Sequence, residues 1–355
     1  MRLNRILFIV VCLKLSTFSI VIGQSKIDRD KVFNTADFEK GDISIATGDQ
    51  APFRLTQFRR VEVVDVRPDS LTIGFRKRSF EIERKFLRFE KGLTWQLTNY
   101  INKNTAVSND MNAPALVLFI KDLWLREYDV DENEQDKIMD ADDEQIRFRK
   151  TSLELHFDCY VQKDDGYYAA LRFDTSITKF LNIPQFSKKY FEYALTLAFN
   201  QLERIDPNNI VAKKRKLSRE AIDTHYLEQW QLPILTDTAL QKGAYNSFEE
   251  FKNNKPSAQR FELKKDKLAD MLYTDNGAGG MTPTRDAWGY CDGKRIFIKS
   301  GENYFPLVLY GHSFYFLGST EIERFSQRNG QANYRTYYKN PLYPLKLNWQ
   351  TGKPY

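Results

Sequence analysis

In Leu153–Val161, LELHFDCYV, apolar and polar residues alternate singly. Leu153, Leu155, Phe157, Cys159 and Val161 fall on one face, Glu154, His156, Asp158 and Tyr160 on the other. A period of two predicts a strand with one buried side, on which Cys159 acts as a small hydrophobe, and leaves His156 on the polar side. GYYAALRFDTSI continues the pattern, and Lys163-Asp164-Asp165-Gly166 between the two runs predicts a hairpin. Upstream, RRVEVVDVRPDSLTIGFRKR reads as two alternating strands around a Pro-Asp-Ser turn. PALVLFIKDLWL is a strongly apolar strand, expected to be covered on both faces.

The period lengthens to three and four in two places. In GLTWQLTNYINKN, Leu93, Leu97, Tyr100 and Ile101 share a stripe; in SKKYFEYALTLAFNQLERI, Phe191, Leu195, Ala198, Leu202 and Ile205 do. Both predict helices laid on a sheet. The succession strand, strand, helix, strand, strand, strand, helix describes an antiparallel or mixed sheet with packed helices, an α+β layer domain. We place it over residues 24–211. The charged stretch 212–243, carrying Pro233, is the expected linker or helical connection to a smaller, mostly β module of aromatic hairpins over 244–355.

That second module opens with SFEEFKNNKPS, where Ser247 and Glu250 fit a capping box. Phe248 and Phe251 face the same way, and Asn253, Asn254 and Pro256 end the helix. AWGYC and KRIFIKS flank Asp292-Gly293, while YFPLVLY and FYFLG flank Gly311 and His312. A two-residue turn at Asp292-Gly293 sets Cys291 opposite Lys294, Tyr290 opposite Arg295 and Trp288 opposite Phe297. Ile296 and Ile298 then take the other face. Trp288, Tyr290 and Phe297 are the candidate binding residues, either as a contact face or as core anchors, with the core reading preferred.

The amino terminus bears on compartment. Arg2 and Arg5 precede the apolar run Ile6–Leu13, and STFSIVIG leads to Gly23 before Gln24, the pattern of a cleaved secretory signal over 1–23. A retained anchor is the rival, opposed by Lys14, which costs about 3 kcal/mol within a span. Lipidation at Cys12 is opposed by Val11 and by the short apolar run before it. Cleavage removes three basic residues and no acid, so the net charge falls from +6 to +3. So mild an excess excludes the basic stripe of a nucleic-acid groove, and AKKRKLSRE at Ala212–Glu220 reads as a solvated linker or helix face. After cleavage the chain has no transmembrane span.

Little else carries chemistry. Cys159 and Cys291 are far apart, and export permits a disulfide, but their spacing fits no metal site. The acidic tract Asp129–Gln145 places Asp129, Asp131 and Asn133 as a calcium loop does. It then has Glu134 where the turn glycine belongs and Asp140 at the twelfth position, so it reads as a solvated loop. NGAGGMTP, Asn276–Pro283, lacks the dinucleotide pattern and the lysine of a phosphate loop. His225 has no second histidine at ligand spacing, and the register above brings His312 no carboxylate to orient it beside Cys291. The expectation is therefore no catalytic residue, no metal and no cofactor. A hydrolase using paired Asp and Glu carboxylates is the alternative.

The elements Tyr245, Ser247, Phe248, Phe251, Asn254 and Pro256, followed by Trp288, Gly289, Asp292, Gly293 and Lys294, resemble a set of uncharacterised exported proteins of Bacteroidota. DSLTIGFRKR and LVLFIKDLWL are similar to the amino-terminal half of such proteins. The resemblance implies export to the periplasm, the outer membrane or the exterior, and carries no catalytic residues. The first domain's order of elements also resembles, more loosely, the accessory lipoproteins of envelope transport systems. The secretory signal, the want of an assembled catalytic constellation and the aromatic hairpins predict a binding or assembly role, with an envelope protein or extracellular polymer as partner.

Overall fold

A computed structural model of the chain describes residues 29–34, 39–45, 53–78, 83–129, 149–180, 190–265, 269–318, 323–326, 334–337, 343–349 and 351–354. The signal segment and nearly all of the acidic tract lie outside the described residues. The first module consists of β1 (Glu39–Ile43), β2 (Phe53–Leu55), β3 (Arg60–Asp65), β4 (Gly74–Arg78), β5 (Glu83–Phe89), α1 (Leu93–Asn104), β6 (Thr105–Val107), β7 (Ala115–Asp129), β8 (Arg149–Lys163), β9 (Gly166–Lys179) and α2 (Glu192–Leu202). Its mixed seven-stranded sheet runs β1-β5-β4-β7-β8-β9, with β3 also on β7. The fold is α+β, as the periodicities predict.

The alternating runs form the antiparallel meander β7-β8-β9, and Asp164, at φ 53°, helps close the tight turn before β9. The two strands around Pro68 do not pair with each other. β3 lies parallel to the first part of β7 and β4 parallel to its far part, from Gly74↔Leu125 onward. The intervening loop explains the difference. Arg67 grips Asp65 at 2.8 Å and the carbonyls of Ser70 and Thr72, while Asp69 accepts from the amides of Leu71 and Thr72. The loop is thereby held as a sidestep, and the chain resumes its direction. The inner face is covered by α1 through Leu93, Leu97, Tyr100 and Ile101 and by α2 through Leu195, Ala198, Phe199 and Leu202. Burial of the Leu, Ile and Phe side chains among these contributes roughly 1.5–3 kcal/mol each and fixes which face of β8 remains outward.

The connection over 212–243 is ordered structure. After α3 (Pro207–Lys213), Ser218 caps α4 (Arg219–Glu228), which lays Ile222 and Tyr226 on the sheet's outer face against Phe119 and Tyr160. Next come α5 (Pro233–Thr236), β10 (Gly243–Tyr245), α6 (Phe248–Lys252), β11 (Phe261–Lys265), β12 (Asp270–Asp275), β13 (Met281–Pro283), β14 (Gly289–Cys291), β15 (Ile296–Ser300), β16 (Asn303–Tyr310), β17 (Ser313–Gly318), β18 (Glu323–Ser326), β19 (Tyr334–Tyr337) and β20 (Tyr343–Lys346). A six-stranded sheet runs β10-β14-β15-β16-β17-β20, and β11-β12-β13 form a smaller one.

Two sequence expectations shift here. The Asp292-Gly293 hairpin closes two residues later than a two-residue turn allows, pairing Cys291 with Ile296, Tyr290 with Phe297 and Gly289 with Ile298. The Asp292 carboxylate explains this, because it accepts from both the Lys294 and Arg295 amides and stabilises the longer loop. Tyr290 and Phe297 then stack at 4.6 Å, while Trp288 joins Phe251 at 4.4 Å. At α6, Ser247 accepts from the Glu250 amide as a cap should, yet the Glu250 carboxylate returns to the amide of Asn246, one residue earlier than in a capping box.

The modules are fused across the first sheet's outer face. Phe33 stacks on Tyr315 at 5.2 Å and meets Phe86 edge-on, and Trp124 lies 6.0 Å from Tyr315. Tyr315 donates to Asp69 at 2.9 Å, and Lys346 reaches Asp122 at 3.2 Å over the Trp124 ring. Arg29 extends the tie by pairing with the fully buried Asp270.

Candidate functional site

Between α4 and β20 the outer face of the first sheet carries a strip of charge. It exists because of a bulge: opposite β8, Ile120 faces Phe157 and Asp122 faces His156, so Lys121 is the extra residue. Before the bulge Leu116, Leu118 and Ile120 point inward; after it Leu123 and Leu125 do. Lys121 and Asp122 consequently both lie with the polar row of β8.

β8 and β9 supply the remainder through their register, which sets Glu154 opposite Ser176, His156 opposite Asp174 and Asp158 opposite Arg172. His156 Nδ1 lies 2.9 Å from Asp174 Oδ1, and its Nε2 is 3.7 Å from Glu154 Oε2. Ser176 donates to the other Glu154 oxygen at 2.6 Å, and Arg172 Nε binds Asp174 at 2.7 Å. Asp158 is shared: Lys121 Nζ meets one oxygen at 2.8 Å and the Tyr226 hydroxyl donates to the other at 2.8 Å. Tyr226 thus pins α4 to the strip.

These contacts set the protonation states. Burial, the largest single influence on His156, favours the neutral ring; contacts with Glu154 and Asp174 and the charges of Asp122 and Asp174 outweigh it, and the imidazole is raised above its ordinary value. For Asp174, burial likewise pushes upward but loses to His156, Arg172 and Lys121, so its carboxyl is lowered. Burial first, then Asp158, drives the Tyr226 phenol up, keeping it a donor. The upward shift favours a proton on His156, and the strip can present alternating charges to a bound surface. A general acid needs a raised carboxyl, and Asp174 is shifted the opposite way.

The residues singled out from sequence lie elsewhere. Tyr290 and Phe297 are buried with Tyr304 in the core between the second and third sheets. Trp288 is half-buried, flanked by Phe248 and Phe251, with its indole donating to the Gly352 carbonyl. Cys159 and Cys291 are free thiols in separate cores. Burial raises both; Asp158 adds to the shift at Cys159, whereas the Gly293 amide opposes it at Cys291. His225 sits on the exposed side of α4 beside Gln229, and His312 is exposed at the β16–β17 turn. Alternation alone places His156 on a polar face. Its neighbours carried a signal in the Lys121-Asp122 pair interrupting an apolar run and in the polar row Arg172, Asp174, Ser176 of the next strand.

Among the described residues no cluster of His, Cys, Asp and Glu has the arrangement of a metal site, and no helix is long and apolar enough to cross a membrane. No protein family, curated protein or solved structure matches the chain. The fold and strip define a two-module α+β protein with a mixed-charge face.

Proposed function

We infer that this is an exported cell-envelope protein whose role is binding or assembly without chemistry, its partner an envelope protein or an extracellular polymer. The observation that carries the reading is the strip's internal pairing: Lys121 with Asp158, Arg172 and His156 with Asp174, Ser176 with Glu154. A pre-paired row of both charges on a rigid sheet suits electrostatic recognition, which supplies specificity more than affinity. The signal-like amino terminus and the resemblance to exported Bacteroidota proteins support the compartment. The exposed Tyr310 on β16, 6.2 Å from Tyr315, offers an aromatic contact near the joint between the modules.

A photo-activatable residue at position 310 and another at 172, in the native host, test this. Fractionation should find the protein in the envelope, with a reproducible cross-linked species at one position that is lost on Asp174→Lys. A cytoplasmic protein, or cross-links indifferent to that substitution and absent from position 310, would overturn it.

The hydrolase reading has one observation in its favour: Glu154 and Asp174 flank His156 on one face. Release of sugar or peptide ends from envelope polymers by the purified protein, abolished in Glu154→Gln and in Asp174→Asn, would establish it in place of binding.

A further inference from the structure

β9 is the edge strand of the first sheet and, at fourteen residues, far longer than the edges β1, β10 and β20, with five, three and four. Its inner side is paired to β8 throughout. On its outer side Tyr167 exchanges backbone bonds with Leu217 at 2.9 Å. From Tyr168 to Lys179 no outward backbone group has a partner among the described residues; the further side-chain contacts, Phe173 with Phe157 and Lys179 over the Tyr190 ring, leave the backbone edge untouched. In an antiparallel ladder every second residue turns both its N–H and its C=O away from the neighbour, so this stretch presents a row of unpaired donors and acceptors. Edges are ordinarily blunted by proline, by shortness or by bulges. β9 has neither proline nor an internal glycine beyond Gly166, and its one bulge, at Ala170, lies near its start, leaving Leu171–Lys179 in regular register.

We propose that β9 pairs antiparallel with β9 of a second copy of the chain, joining two sheets across a two-fold axis. Side chains meeting on a common face must share parity, so the axis passes through a residue. Centred on Phe173, the pairing sets Arg172 opposite Asp174 of the partner subunit, and does so twice. Centring on Arg172 or on Asp174 opposes like charges, and centring on Thr175 leaves both charges facing neutral hydroxyls. Charge therefore selects Phe173. Arg172 is 60% exposed and Asp174 39%, so each has capacity beyond the bond they now share. Self-complementarity of one patch is what an isologous interface requires, and this strand supplies it from two residues.

Analytical ultracentrifugation of the purified protein tests the proposal. The wild type should sediment as a dimer. Arg172→Asp should raise the dimer dissociation constant by about tenfold or more, because two attractive cross-strand pairs become repulsive. Asp174→Arg should do the same, and an equimolar mixture of the two variants should recover a dimer, since each then faces its opposite. A monomeric wild type, a dimer unmoved by Arg172→Asp, or a mixture that stays monomeric would each overturn it. Should Asp174→Arg fail to fold for want of its bond to His156, hydrogen exchange on the wild type decides. Amides within 171–177 must lose protection on dilution, and concentration-independent exchange there would refute the pairing.

Discussion

Tyr315→Phe removes a single oxygen from the tie between the modules. The ring is fully buried, and its contacts with Phe33, Phe86 and Trp124, at 5.2, 6.1 and 6.0 Å, are all available to phenylalanine. The apolar contribution is therefore unchanged, and the loss reduces to one hydrogen bond, Tyr315 to Asp69 Oδ2 at 2.9 Å. The acceptor is a carboxylate 6% exposed whose other oxygen is occupied by the Leu71 and Thr72 amides. Burial, followed by the charge of Asp69, raises the phenol far above its ordinary value, so it remains a donor throughout the accessible pH range. A hydrogen bond to a charged group contributes about 1.5–3 kcal/mol, and the upper part of that range applies where water cannot reach the orphaned oxygen. Urea unfolding followed by tryptophan fluorescence is the assay, with Trp124 reporting on the interface. A cycle with Asp69→Asn isolates the pair, and its coupling should be about 1–2 kcal/mol. A loss under about 0.5 kcal/mol, or a coupling within about 0.3 kcal/mol of zero, would show that the modules are not held here.

Two further outcomes follow from the cores and the strip. The folded-state value of His156 is raised, so its stabilising contribution is full below the unfolded value of about 6.5 and fades as pH rises through the folded one. The melting-temperature advantage of wild type over His156→Gln should accordingly shrink between about pH 5 and pH 9; an advantage that grows with pH would contradict the ion-pair geometry. The thiols of Cys159 and Cys291, buried and raised, should resist Ellman's reagent in the native protein and react only on unfolding, with no disulfide between them. Rapid labelling of either in the folded state would show that its core opens.

Local chemistry explains which parts of the fold were legible. LELHFDCYV forms the central β8 with the faces its alternation predicts, and the stripes Leu93-Leu97-Tyr100-Ile101 and Leu195-Ala198-Leu202 became helices, because in each case one periodicity and one burial requirement agree. The Asp292 hairpin shows the limit. Alternation fixes which residues share a face only modulo two, so a slip of two positions costs nothing in the pattern. The choice fell to a carboxylate that found two amides. Likewise β3 and β4 are legible as two strands around Pro68 because both alternate, but whether they pair is not, and only the grip of Arg67 on Asp65, Ser70 and Thr72 turns the loop into a sidestep.

The strip was illegible for a different reason. Its members come from β7, β8, β9, α4 and β20, and what assembles them is one inserted residue, Lys121, whose effect on parity depends on the strand it faces. Without the bulge Asp122 would point into the inner core, and neither His156 nor Lys346 would have it as a neighbour. Sequence periodicity registers such an insertion only as an interruption in PALVLFIKDLWL, which a buried-run reading absorbs without comment. The same residue thus decides two things at once: where the charged face begins, and where the second module docks, because Asp122 serves His156 on one side and Lys346 on the other. Charged strip and module interface are in this way consecutive positions of one strand, and a change at either is expected to be felt at its neighbour.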